Sequence, residues 1–191
     1  MPGIETLSLE QVRALYRQRM VEDFPPDELR PLQNIENLLN RNQYAGYGYM
    51  DGGEALAYAF FVKQDRRALV DDYPVRRDLR DRGHGGRFLR ALIKGPARDL
   101  ECALLEVEDP AEADAPDEAA LRDRRLAFYL RNGLQLTQVR ARIYGVKYRL
   151  LTLPVGVPHD DHAVAHIYAE LYRTVLPKPL YDQWVEIDPL T

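Results

Sequence analysis

A single cysteine, Cys102, stands among 191 residues, so neither an internal disulfide nor a metal site built from cysteine pairs is open to this chain. That economy fits a reducing, cytoplasmic setting. Long hydrophobic runs are missing too. The longest, residues 55–62, falls far short of the roughly 20 residues that a membrane-spanning helix needs, and the opening residues lack the basic-then-apolar pattern of a secretory leader. Lysine is scarce, supplying only 4 of the 26 basic residues. Carboxylates outnumber the basic groups, and the net charge of −4 argues against a general nucleic-acid binder. The remaining composition, 46% hydrophobic and 29% charged, is that of a soluble globular protein. A chain of this length suits one domain with a sizeable core.

One stretch departs from this background. Residues 75–90 read V-R-R-D-L-R-D-R-G-H-G-G-R-F-L-R. A strand pattern ends at Val75, glycines crowd a turn at Gly83, Gly85 and Gly86, and an amphipathic helical pattern follows through Phe88, Leu89, Leu92 and Ile93. Glycine permits tight backbone turns, and the first N–H groups of a helix have no partner within it. Together they make a cradle for an anion such as a pyrophosphate. Six of the fifteen residues from 76 to 90 are arginine, more than three times the frequency in the whole chain. The glycine spacing does not fit the G-x-G-x-x-G of dinucleotide folds, and no Gly-Lys-Ser/Thr is present to make a P-loop.

Elsewhere the pattern is mixed α/β. Residues 4–7 form a candidate first strand, and Ser8 with Gln11 makes a capping box that opens a helix reaching Met20. Phe24-Pro25-Pro26 stops it, and a second helix is expected over 27–42. Strands are expected over 44–50, 55–63 and 67–75, the first two joined by an Asp51-Gly52-Gly53 hairpin. Pro74 cannot donate to a neighbouring strand, which suits either a strand end or a place where two strands separate. A helix over 83–97 leads to a strand at 100–108 whose apolar centre suits the sheet interior. Residues 109–120, acidic and rich in Pro and Ala, read as a loop. A helix over 121–132 closes at Gly133, strands follow at 135–144 and 146–153, and a last helix at 162–176 precedes an irregular tail. Tyr181 and Trp184 in that tail would anchor it to its own domain or join two copies in a homodimer.

The run Arg80-Asp81-Arg82-Gly83-His84-Gly85 resembles the R/Q-x-x-G-x-G/A signature of the GNAT superfamily of N-acetyltransferases, with Val75 and Leu79 where that family carries apolar residues upstream. Further on, Ala127-Phe128-Tyr129-Leu130-Arg131-Asn132-Gly133-Leu134 is similar to the family's second signature, F/L-Y followed after three residues by G-F. The two motifs and the strand order cover about residues 44–153. The chain departs from the family at Arg77, often proline, at Asp81, often glycine, at Arg122, where an asparagine often sits, and at Leu134, usually aromatic.

The resemblance implies a single GNAT-like α/β domain over residues 1–191. Its mixed central sheet would have splayed middle strands, flanking helices and, beyond the core, an extra C-terminal helix and tail from about residue 160. It implies acetyl-CoA as cosubstrate and no metal. The strand edge at Val75 would pair with pantetheine, and Arg80, Asp81, Arg82, Gly83, His84, Gly85 and Gly86 would hold the pyrophosphate. The implied reaction is direct acetyl transfer to a primary amine of a small molecule or peptide, with no nucleic-acid or membrane partner. The alternative is a CoA-binding sensor or interaction module with little catalysis. A third reading makes the arginine cluster a surface for nucleic acid or another anionic partner.

Tyr129 matches the tyrosine that the family points at the CoA sulfur, which makes it the candidate general acid. On the strand at 100–108, Leu104, Glu106 and Glu108 share one face and Leu105 and Val107 the other. A carboxylate at the centre of a sheet faces a cleft or is desolvated, and desolvation raises its pKa toward that of a useful base. Glu106 is therefore the candidate base and Glu108 the next. Asp71, Asp72 and Tyr73 are candidates for the acceptor side, with Tyr44, Tyr47 and Tyr49 lining it. His162 and His166 have metal-ligand spacing, but no glutamate follows His162 as the zinc-protease motif requires. Asp160 and Asp161 read as helix caps, and Cys102 as buried packing.

Overall fold

Alternation of buried residues along the strands gives one sheet a hydrophobic layer on each face. The computed structural model describes residues 2–24 and 29–190. Its strands are β1 (Gly3–Thr6), β2 (Tyr44–Asp51), β3 (Glu54–Gln64), β4 (Arg67–Asp72), β5 (Cys102–Glu108), β6 (Gln135–Ile143), β7 (Val146–Thr152) and β8 (Val185–Ile187), in the order β1-β2-β3-β4-β5-β7-β6-β8. Neighbours are antiparallel except β4 and β5, and a parallel pair needs a crossover, which α4 (His84–Lys94) supplies.

One face is covered by α1 (Leu9–Leu15), α3 (Leu32–Asn40) and α6 (Asp161–Val175), packed on Tyr44, Phe60, Leu69, Leu104 and Leu150. α1 continues through a π-helical stretch, Tyr16–Met20, into the single turn α2 (Val21–Asp23). The other face is covered by α4 and α5 (Pro116–Arg131), packed on Phe61, Val70, Leu105 and Leu151. The capping box forms as expected: Gln11 N–H donates to Ser8 Oγ at 3.2 Å and Ser8 N–H to Gln11 Oε1 at 2.8 Å. Asp160 caps α6 by accepting from Ala163 N–H at 2.8 Å.

Three expectations need correction. The helix expected from residue 27 is described only from Leu32, after Pro31; its expected start lies outside the described residues. α5 begins at Pro116, inside the stretch read as a loop. Proline at the first helical position has no N–H to lose, and Asp117 and Glu118 in that turn suit the helix dipole. The tail is not irregular. It forms α7 (Lys178–Trp184) and then β8, which pairs with β6 at Ala141↔Ile187 and Ile143↔Val185. Tyr181 lies over the Arg173 guanidinium and Trp184 against Tyr144, so the tail folds back and covers the β6 edge.

The middle of the sheet is splayed. β4–β5 pairing ends at Val70↔Leu105, after which β5 stays with β7 and the chain beyond β4 stays with β3. A β-bulge sits at the parting. Phe61 faces Val70 but Phe60 faces Asp72, leaving Asp71 as an extra residue. Pro74 is not the cause of the split. Its carbonyl accepts from Tyr58 N–H on β3 at 3.1 Å, so its missing N–H also falls on the β3 side. Arg76 N–H bonds Leu56 C=O at 3.0 Å, and by alternation the N–H and C=O of Val75 point away from β3, into the gap toward β5.

α4 is held at this gap by Phe88, which is fully buried and stacks between Tyr49 and Tyr73 at 5.7 and 5.3 Å. Phe88→Ala should therefore cost about 3–5 kcal/mol of unfolding free energy, read as a lowered midpoint in urea denaturation; a change below about 1 kcal/mol would contradict the anchoring role.

Candidate active site

The glycine turn sits where β4 leaves β5. Gly83, at φ +77°, caps α4 in the left-handed conformation, and Asp81 adopts the same region at φ +62°. Aspartate tolerates that conformation, so the backbone that glycine would provide at 81 is present without it. The Asp81 side chain turns outward to Arg124 at 3.0 Å. The first intrahelical bond is Arg87 N–H to Gly83 C=O at 3.2 Å. The N–H groups of His84, Gly85 and Gly86 precede it and are left for another acceptor. Around them, Arg80 Nε donates to Val75 C=O at 3.3 Å and Arg87 to Arg82 C=O at 3.1 Å, which fixes the turn. His84 Nδ1 is buried without a partner among the described residues.

The other two glycines serve packing. A Cβ at Gly85 would lie 3.2 Å from Phe128 and 3.4 Å from Val75, and one at Gly86 would lie 2.8 Å from Asn132 Oδ1. Their absence lets the first turn of α4 approach the last turn of α5. Between those turns is a hollow of about 300 Å³ lined by Gly83, Gly86, Arg90, Phe128, Arg131 and Asn132. Arg90 donates to Asn132 Oδ1 at 3.2 Å and Arg131 lies over the Phe128 ring, so two guanidinium groups border the hollow.

On the opposite face the gap holds carboxylates. The bulge turns Asp71 and Asp72 toward the same side. Tyr44 hydroxyl donates to Asp71 and lies 3.5 Å from Asp72, and Arg30 pairs with Asp71 at 3.1 Å. Burial, with Asp71 beside it, pushes Asp72 up to about 8. Across the gap, Glu106 accepts from Tyr168 hydroxyl and from Tyr172 hydroxyl at 2.9 Å, both on α6. Burial pushes Glu106 up to about 7 against the opposing pull of those hydroxyls. Both carboxylates are enclosed by protein yet keep some solvent access.

Tyr129, on α5, lies on the α4 side of the sheet. Its hydroxyl makes no hydrogen bond to the described residues, and burial pushes it up to about 12, so it stays protonated and able to donate at neutral pH. Tyr129 and Glu106 thus flank the gap from opposite faces. Several candidates are placed elsewhere. Tyr73 turns to the α4 side and donates to Gly85 C=O at 2.7 Å, supporting the glycine turn instead of the acidic side. Tyr47 and Tyr49 pack on Phe61 and Phe88, which leaves Tyr44 alone of the three beside the carboxylates. Glu108 is held by Arg125 at 2.6 Å. Arg122 bonds Glu118 and the Asp109 carbonyl, a structural role at the start of α5. Burial pushes Cys102 up to about 11, which makes a poor nucleophile, and His162 and His166 lie on the solvent side of α6.

Tyr168, Tyr172 and Arg30 were not singled out from the sequence. A signal existed for the tyrosines: four residues apart on a helix, they share the buried stripe of Val164, Ile167 and Leu171, and a buried hydroxyl needs a partner.

Asp72 and Glu106 have folded-state pKa values above the ordinary 3.8 and 4.5. Their contribution to stability is complete below those ordinary values and is lost as pH rises through about 7 and then 8. The melting temperature should fall from pH 6 to pH 9, and Asp72→Asn with Glu106→Gln should flatten that decline in differential scanning fluorimetry; an equal slope in the double variant would refute it.

No protein-family model and no curated protein matches the sequence, but solved structures do. A protein from Bacteroides thetaiotaomicron assigned to the GNAT family of acetyltransferases superposes with a TM-score of 0.71 at 21% identity, covering 88% of this chain and 95% of that one. The ribosomal-protein-S18-alanine N-acetyltransferase of Escherichia coli gives 0.59 at 19% identity, covering 84% and 98%. An acetyltransferase of Bacillus subtilis, solved in complex with CoA, gives 0.56 at 14% identity, covering 83% and 100%. At such identities the likeness speaks for the backbone alone, and on that ground this chain has the fold of the GNAT acetyltransferases.

Proposed function

We propose that the protein is an acetyl-CoA-dependent N-acetyltransferase that acetylates a primary amine of a small molecule or peptide by direct attack. The observation that carries this reading is the parting of β4 from β5 after Val70 and Leu105, with a helix N-terminus at one side of the gap and enclosed carboxylates at the other. The residues present fit the cosubstrate. The Val75 N–H faces the gap and suits a pantetheine amide. The N–H groups at residues 84–86 suit a diphosphate, with the unpartnered His84 Nδ1 beside them. Arg90 and Arg131 at the adjoining hollow suit a further phosphate. The structural relative solved with CoA agrees with this choice of ligand.

When bound, acetyl-CoA supplies an acetyl group as a thioester, and its exchange onto an amine forms one C–N bond, breaks one C–S bond and releases one proton overall. Glu106 takes a proton from the incoming ammonium, which frees the nitrogen lone pair. Tyr129 holds a proton for the departing sulfur, matching the one lost as the amine becomes an amide. Asp71, at the gap, favours a cationic acceptor over an anionic one. Most of the acceleration comes from holding both reactants at the gap, with acid–base help of roughly 10² to 10⁴-fold.

The test is thiol release with a panel of amines, beside thermal melting with acetyl-CoA. Stabilisation by acetyl-CoA without release on any amine would overturn the enzyme reading in favour of a sensor. Activity should rise with pH through about 7 as Glu106 loses its proton, and Glu106→Gln should lower kcat roughly 10²-fold and remove that limb. Tyr129→Phe should slow turnover more than it weakens acetyl-CoA binding. At the cradle, the exposed Arg82 is a cleaner probe than Gly85, whose replacement would press on Phe128. Arg82→Glu should weaken acetyl-CoA binding roughly tenfold in calorimetry while leaving the circular dichroism unchanged; unaltered affinity would remove this turn from the binding site.

A further inference from the structure

We propose that Tyr168 and Tyr172 are positioning residues: from α6, outside the part of the chain that carries the family motifs, they hold the Glu106 carboxylate at the gap. This rests on the acetyltransferase reading above, with Glu106 as its base. The geometry is specific. Tyr172 hydroxyl lies 2.9 Å from Oε1 and 3.1 Å from Oε2, and Tyr168 hydroxyl donates to Oε2. The rings meet edge to face with centroids 4.9 Å apart, so each braces the other.

α6 is itself held firmly against the sheet. Val164, Ile167 and Leu171 are buried in the core, and the Asp161 carboxylate ties its first turn to β6 by accepting from Gln138 N–H at 3.0 Å. Glu106 sits on β5, paired across from Leu150 of β7. The carboxylate is therefore clamped between two elements that meet only in the folded protein.

The clamp has an electrostatic purpose. Glu106 shares the gap with Asp71 of β4, which disfavours its charged form, and with Arg30, which favours it; Asp72 beside them is itself pushed up to about 8. Tyr44 on β2 has its hydroxyl committed to Asp71, and the α6 tyrosines are the hydroxyl donors to Glu106 among the described residues. Hydrogen bonds donated to a carboxylate stabilise its charged form. Without them, burial and the neighbouring Asp71 would keep Glu106 protonated above neutral pH, and the base would be absent when needed.

The experiment uses the whole 191-residue chain with Tyr168→Phe, Tyr172→Phe and the pair. Phenylalanine keeps the ring packing and removes only the donor, and Tyr172, at 6% exposure against 0% for Tyr168, is the milder site. Two readouts are taken: the Glu106 titration by carbon-13 carboxyl NMR, and the pH profile of thiol release with an amine that the wild type accepts. Each substitution should raise the Glu106 midpoint by about one pH unit and move the acid limb of kcat by the same amount. Turnover at pH 7 should drop several-fold and recover at higher pH, with acetyl-CoA affinity unchanged. A purely structural role would lower melting temperature and kcat at every pH without moving the limb, and that result overturns the proposal. So does a titration shift with no matching shift in the activity profile. Failure of the acetyltransferase reading looks different: the wild type would release no thiol with any amine although Glu106 still titrates with the tyrosines' influence, and both ideas would fall.

Discussion

The extra residue in β4 is the constraint on which the rest of the structure depends. Phe60 and Phe61 are consecutive on β3, yet their partners Asp72 and Val70 are not consecutive on β4. Asp71 has nowhere to pair, and the strand bends. The bend carries the following residues away from β5 just after Leu105, and a sheet that is continuous elsewhere acquires an opening. The bend also turns two successive aspartates toward one side, which strict alternation would forbid. Opening and charge therefore have a single origin.

The sheet then separates two electrostatic environments. On the α4 side are a helix N-terminus, left-handed backbone at Asp81 and Gly83, and the arginines of the glycine turn and hollow. On the α6 side are Asp71, Asp72 and Glu106, partly offset by Arg30. Under the acetyltransferase reading, the first suits a polyanion and the second an ammonium, and the two reactants approach from opposite faces and meet at the gap.

Tyrosine does much of the polar work in the interior. Tyr44, Tyr58, Tyr168 and Tyr172 are buried and donate to Asp71, Asp23 and Glu106. Each adds a large ring to the core and leaves one hydroxyl for a carboxylate. Buried polar networks of this kind are costly when incomplete and specifying when satisfied. α6 and its tail are bound to the sheet by apolar packing, by β8, and by the two α6 hydroxyls that reach Glu106 on β5, so the segment beyond the motif-bearing core is part of the scaffold that holds that carboxylate.

The sequence alone determined the local features: the Ser8–Gln11 box, the hairpin at Gly52, the glycine-opened α4 and the approximate places of β1 to β7. These depend on residues a few positions apart, and the two short motifs that point to the fold are local as well. The start of α5 at Pro116 was hidden because its composition suits a loop as well as a first turn, and the tail because a three-residue strand has meaning only beside the β6 edge it joins. Only the tertiary structure decided which side of the sheet each polar residue serves. Asp71 and Asp72 are neighbours in the chain, but a bulge set by pairing with β3 turns them to the same face, and Tyr73 after them to the other. Glu106 meets Tyr168 and Tyr172 across more than sixty residues of chain. A side chain's facing follows from register and bulges, and those are settled by contacts between distant strands that no nearby residue records.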